Sequence, residues 1–409
     1  MRSNPFNPLL LLFLAGMLVV QVTAFWNVRD LIRAGYPDFT IFYSAGSIVR
    51  TGLGSQLYDD NTQYRAQKEF AAGVHIRQGP LPFNHPPFEA LLFLPFTYLP
   101  YFTAYVLWGL LNLLILIALP LLLRPHVSLL QRASPMLWSF AALAFFPVFV
   151  ALLQGQDVLV LVLLLALAFV ALKNNSDFAA GCCLGLGLFR FHLVLPLVFM
   201  LLLQKRVKAF SGFCAVALAL LLISVAVVGM TTTWHYPWYV WQVEKVMGRG
   251  SIVPSDMPNL RGLLDGILTP WTTPRFTTIS VIVVSLVFAV FAARKWRSGA
   301  RATHLPLGFA LLVVTTVLIS YHAFAYDLSL LLVPVALLLD YLAESTSLTG
   351  RTRLVLLVPI LVLFFSPLHM VLWLHYGRLN LLAPVLLVWW WGIAQAISSR
   401  DAPSSQAMA

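Results

Sequence analysis

The chain has 409 residues, 60% of them hydrophobic and only 10% charged, with a mean hydropathy of +0.85. A soluble domain carries roughly 25% charged residues, so the composition excludes a water-soluble globular protein and is that of a polytopic membrane protein. The formal net charge of +11 gives no reason to invoke nucleic acid, because, as shown below, it falls almost wholly on one side of the predicted membrane topology.

A transmembrane helix needs about 20 apolar residues. Apolar runs predict spans over 7–24, 100–123, 135–153, 157–172, 178–189, 191–203, 209–229, 276–293, 304–321, 327–345, 354–366 and 379–397, about 12 crossings in an all-α bundle. The first run lacks a small-residue cleavage site and leads into further spans, so it reads as a retained helix. A first outer loop, 25–87, follows and opens with Tyr36-Pro37-Asp38-Phe39-Thr40-Ile41-Phe42-Tyr43-Ser44-Ala45-Gly46, then Gly52 and Leu57-Tyr58-Asp59. Asp38 has two compatible readings there, as the N-cap of a helix starting near Phe39 or as a carboxylate poised for general-base chemistry at the membrane edge. Residues 39–50 and 60–71 read as amphipathic helices on the membrane surface. The loop returns through Asn84-His85-Pro86-Pro87-Phe88, and 88–99 reads as re-entrant. Segments 178–189 and 191–203 are either one long tilted helix or two half-helices around Arg190. A second outer loop, 230–275, opens with Trp234-His235-Tyr236-Pro237-Trp238-Tyr239-Val240-Trp241, the composition of an interfacial aromatic belt. Residues 1–398 thus form one transmembrane domain, and 399–409 a disordered cytoplasmic tail.

Orientation follows from the positive charges. With a cytoplasmic N-terminus, 14 of the 26 Lys and Arg lie inside with four acids, Asp177, Asp340, Glu344 and Asp401, so the inner face carries +10 and the outer face +1. Both termini are then cytoplasmic. Cys182, Cys183 and Cys214 fall within spans at no metal-ligand spacing and read as packing residues. There is no Gly-rich phosphate loop, no nucleophile elbow and no metal constellation, so neither a cofactor nor a metal is expected. The ionisable or polar groups that are costly near a membrane are Asp38, His85, Asp157, Arg190, His192, Tyr321, His322, Asp327, His369, His375 and Arg378. All fall at outer helix ends or in outer connections, which points to a single cavity open to the outside.

Read together, Asp38-Phe39 with Tyr43 and Leu57-Tyr58-Asp59, His85-Pro86-Pro87-Phe88 with Leu94-Pro95-Phe96, and Gln154-Gly155-Gln156-Asp157 before a Leu-rich span form a pattern that resembles glycosyltransferase family 87 of the GT-C superfamily. Gly181 to Pro196 is similar to the family's Gly-rich helix ending in a cation and a proline, and Tyr321-His322 with Tyr326-Asp327 to its late polar pair. The sequence departs from the pattern in having Arg190 where a lysine is expected. The resemblance implies a GT-C fold in a bacterial plasma membrane and an inverting enzyme. Its expected substrates are a polyprenyl-phosphate sugar such as a mannosyl donor and a glycan or glycolipid acceptor. It further implies Asp38 as base, Arg190, His192, His322 and Arg378 at the donor phosphate, and Tyr43, Tyr58, His85, Gln156, Tyr321 and Asp327 around the substrate. A lipid or solute transporter is the alternative, although the matching cytoplasmic polar groups and inverted repeats of transporters are not evident; a non-catalytic assembly protein would keep the hydrophobic pattern without needing Asp38.

Overall fold

The computed structural model describes residues 8–71, 81–246, 253–298, 305–345 and 348–401. Arg2, Arg301 and most of the predicted tail lie outside the described residues. Every regular element among the described residues is helical, as expected where lipid offers no partner to backbone N–H and C=O groups.

Seven helices are long and apolar enough to cross a membrane: Pro8–Arg33, Tyr101–His126, Asp177–Leu203, Val207–Val228, Pro274–Trp296, Ala325–Glu344 and Leu379–Ser398. Two shorter apolar helices, Val158–Lys173 and Leu305–Ile319, lie beside them. The predicted span 135–153 is a bent pair, Pro135–Ala144 and Phe146–Gln154, at 74° to each other; Gly350–Phe364 and Ser366–His375 form a second pair at 64°. Each bend lies just before a proline, Pro147 or Pro367, which has no N–H to give the preceding helix and whose ring would meet the carbonyl four residues back, but which is tolerated in the first turn of the next helix. Segments 178–189 and 191–203 follow the first alternative, one long element, broken at its centre by the tight turn Gly187–Arg190.

The Phe39–Arg50 helix has the bounds predicted for it, but it does not lie on a surface. Phe39 through Gly46 are all buried, because Phe39 and Phe42 carry aromatic bulk on more than one face. Phe42 stacks on Phe93 at 4.5 Å and Phe39 meets Tyr105 edge-on at 5.7 Å, so the broken helical segment 87–98 covers the helix on one side and the Tyr101–Leu123 helix on another. The second predicted surface helix, Asp60–Lys68, buries a polar face, Thr62, Gln63 and Gln67. Gln63 donates to the Leu57 carbonyl at 2.8 Å and Gln67 accepts from the Leu81 N–H at 2.9 Å, so glutamine side chains pin this helix and no apolar stripe is needed. In the Met230–Val246 helix the aromatic belt divides: Trp234 is 84% exposed, whereas Tyr239 is buried against Tyr58 at 4.8 Å.

Candidate active site

Asp38 occupies the N-cap position of its helix, yet its side chain makes no capping bond. A capping residue normally has extended backbone; Asp38 is already helical, at φ −62° and ψ −18°, which turns the carboxylate away from the first-turn N–H groups. Its Oδ2 instead accepts from Gln156 Nε2 at 2.7 Å, and its backbone N–H donates to Gln154 Oε1 at 3.1 Å. Asp59, with extended backbone, is the true cap: its Oδ1 accepts from the Thr62 N–H at 2.8 Å.

Both glutamines reach Asp38 because of the glycine between them. Gly155 ends the Phe146–Gln154 helix in the left-handed conformation, φ +62°, and a Cβ there would lie 2.7 Å from Phe39 Cβ. Its carbonyl accepts from Trp108 Nε1 at 3.0 Å. The reversal places Gln154, Gln156 and Asp157 around one point.

Behind Gln156 lies Arg190, only 2% exposed. Its Nε donates to Asp157 Oδ1 at 2.7 Å, Nη1 faces Asp327 Oδ1 at 3.4 Å, and Nη2 contacts Gln156 Oε1 and Asp157. The Gln156 amide therefore joins Asp38 to Arg190, donating to the first and accepting from the second. Asp327 Oδ2 accepts from the Phe324 N–H at 2.8 Å, and the Tyr326 ring lies 5.1 Å from the guanidinium. The helix that carries Arg190 is held close by small residues: a Cβ on Gly181 would overlap the Ala209 carbonyl of the neighbouring helix, the close backbone approach that small residues allow between membrane helices.

A cavity of about 610 Å³ opens in front of these groups. Asp38, His85, Gln156, Arg190, His192, Tyr321 and His322 line it, with Ile41, Leu195, Val240 and Ile319 on its apolar side. The His192 and His322 rings meet at 5.5 Å, and His192 Nε2 is buried with no hydrogen-bond partner. His85 Nδ1 is 2.8 Å from Glu89 Oε2. Burial first, and the Arg190 guanidinium second, hold the His85 imidazole down to about 3; burial and then the Asp157 carboxylate push Glu89 well above the ordinary carboxylate range.

Four of the expected site residues are not on the cavity wall. Tyr43 donates to the Leu99 carbonyl at 2.7 Å and Tyr58 to the His85 carbonyl at 2.8 Å, so both hydroxyls brace the loop. Asp327 stands one layer back, against Arg190. Arg378 and His375, the latter at the end of the helical segment Val371–His375, are exposed and do not line the cavity, while His369 is buried against Phe146 and bonded to the Val362 carbonyl; an outer helix end does not by itself bring a residue to one point. Sequence reasoning missed Glu89 and Tyr326. Glu89 carried a usable signal, its place four residues after His85, and Tyr326 stood in a quoted motif without a role.

The model of glycosyltransferase family 87 matches residues 83–321, more than half of the chain. The match takes in His85, Gln156, Arg190, His192 and Tyr321, while Asp38, His322 and Asp327 lie outside it. No curated protein and no solved structure matches the chain.

Proposed function

The chain belongs to glycosyltransferase family 87 and is a membrane glycosyltransferase, and from that premise we propose that it moves mannose, with inversion, from a polyprenyl-phosphate donor to an acceptor hydroxyl on the outer face. Asp38 is the base that takes the hydroxyl proton, a contribution of roughly 10²–10⁴-fold when the carboxylate is well placed. The Gln156 amide holds that carboxylate, and Gln156 in turn is held by Arg190. Leaving-group charge on the donor phosphate is met by His192 and His322, with Arg190 behind them.

The observation that carries this reading is the direction of the Asp38 side chain: it forgoes the capping bond open to an aspartate at that position and lines a cavity that also holds an unpartnered histidine nitrogen. The deciding experiment gives the purified protein a panel of polyprenyl-phosphate sugars with glycan and glycolipid acceptors. Transfer from the mannosyl donor, with inverted anomeric configuration in the product, is the expected result. Transfer only from nucleotide sugars, or from none of the panel, would defeat the reading.

A further inference from the structure

The chemistry proposed above needs positive charge, yet the site is rich in carboxylates. Asp38, Asp157 and Asp327, with the Glu89 carboxyl set beside Asp157, share a single guanidinium among the described residues that line or back the cavity, and that guanidinium is already engaged by Asp157 and Asp327. An anionic phosphate approaching such a group of charges in a low-dielectric site meets net repulsion.

The carboxylates hold a specific opening for a cation. Asp157 Oδ1 is used by Arg190 and Glu89 Oε2 by His85, which leaves Asp157 Oδ2 and Glu89 Oε1 buried with no hydrogen-bond partner. Glu89 is 1% exposed and Asp157 is fully buried, and the two carboxyl groups are within hydrogen-bonding reach of each other. Two carboxyl oxygens satisfy one another only through a proton or a cation held between them. Together with the His85 ring nitrogen they form a set in which one atom from each residue lies within 4.8 Å of the others. His85 reaches the cavity wall, so the set has an entry path.

We propose that His85, Glu89 and Asp157 bind one divalent transition-metal ion, Mn²⁺ or Zn²⁺. One imidazole and two carboxylates suit these ions, whereas Ca²⁺ and Mg²⁺ prefer an all-oxygen shell. The ion offsets two of the four carboxylates and leaves Arg190 with Asp327. Why such charge is needed rests on the donor reading given above; the site itself rests only on these three side chains.

The test uses the full-length protein in detergent, freed of any affinity tag, stripped with a chelator and shown to keep its circular dichroism spectrum and a single melting transition. Mn²⁺ is titrated by loss of the free-ion electron paramagnetic resonance signal, and Zn²⁺ by elemental analysis after dialysis. We expect about one equivalent per chain, and at least tenfold weaker binding in Glu89→Gln, whose amide keeps the volume and offers a donor to Asp157. If that variant fails to fold, His85→Asn takes its place. Folded wild-type protein that binds neither ion, because a proton alone sits between the two carboxyls, overturns the proposal, as does equal binding by the folded variant. Glycosyl transfer is read separately: stoichiometric metal without transfer from any polyprenyl-phosphate sugar keeps this site and removes the donor reading, and chelator-insensitive transfer by metal-free protein keeps the donor reading and removes the ion from the chemistry, the site then standing or falling on the titrations alone.

Discussion

At the scale of single residues, the two aspartates of the first outer loop divide the work. Asp38 lacks a capping bond and Asp59 makes one, so their substitutions should separate chemistry from stability. Asp38→Asn is expected to lower transfer by roughly 10²–10⁴-fold with an unchanged melting temperature, since the amide keeps the size of the carboxylate. Asp59→Asn, still a good cap, should be close to silent, and Asp59→Ala should cost about 0.5–2 kcal/mol of stability while the folded protein remains active; thermal melts and product counts on the same preparations decide it. Arg190 is a poorer probe of the phosphate site than its position in sequence implied. Removing it strands Asp157 and Asp327 in a dry interior, a loss of about 3–5 kcal/mol for a broken buried ion pair, so Arg190→Ala is expected to fail in yield before it can be assayed. His322 lines the cavity with its ring 5.5 Å from that of His192, and His322→Ala should raise the donor KM. An unchanged KM would move the phosphate away from the two histidines.

At the scale of elements, the site depends on two places where only glycine fits. Gly155 joins two helices through a left-handed residue that lies against Phe39. Gly155→Ala brings about 1–2 kcal/mol of backbone cost and a clash with the helix that Asp38 precedes. It should therefore reduce both the melting temperature and transfer, unlike Asp38→Asn, which reduces transfer alone. Gly181 sets the approach of the helix that ends at Arg190. Gly181→Val is overpacking at a backbone-to-backbone contact, typically a loss of 1–3 kcal/mol, and Gly16→Val, where a Cβ meets nothing within 4 Å, is the control for valine in an apolar helix. Equal melting temperatures in the two variants would remove the close contact as the reason for the glycine.

At the scale of the whole molecule, the described residues place the cavity and the basic connections at opposite helix ends. The Val158–Lys173 helix starts beside Gln156 and ends at Lys173, a length of about 24 Å at 1.5 Å per residue. Around its far end Lys173 donates to the His126 carbonyl at 2.6 Å, Arg206 pairs with Asp177 at 2.8 Å, and Asp340 accepts from the Leu129 N–H at 2.6 Å. These belong to the connections assigned inside by the positive-inside bias, so the proposed orientation puts the cavity outside. In a cysteine-free background, a thiol at Trp271, 85% exposed, should react with an impermeant reagent in intact cells, and one at Arg351 only after permeabilisation. The opposite pattern would invert the topology and end the outer-face mechanism.

Composition and apolar run length fixed the all-helical membrane class, because a chain with so little charge has no other way to satisfy its backbone in lipid. Short motifs were enough to name Asp38, Gln156, Arg190, His192 and His322 as residues that belong together, and these line one cavity. What they could not supply was direction and depth. The 3.6-residue period that marked 39–50 as a helix cannot tell a lipid surface from a protein wall, and it was Phe93 and Tyr105, distant in sequence, that buried it. The motifs did not indicate that the Tyr43 and Tyr58 hydroxyls would bond to backbone carbonyls, or that Arg378 would be exposed and off the cavity wall. The pairing of Glu89 with Asp157 has no local signature, since those carboxylates are 68 positions apart in the chain and meet only when the turn at Gly155 closes on the segment after His85. Local sequence sets hydrophobicity and helix bounds because both depend on neighbours along the chain; which polar groups are left without partners depends on neighbours across it, and only the tertiary structure decides that.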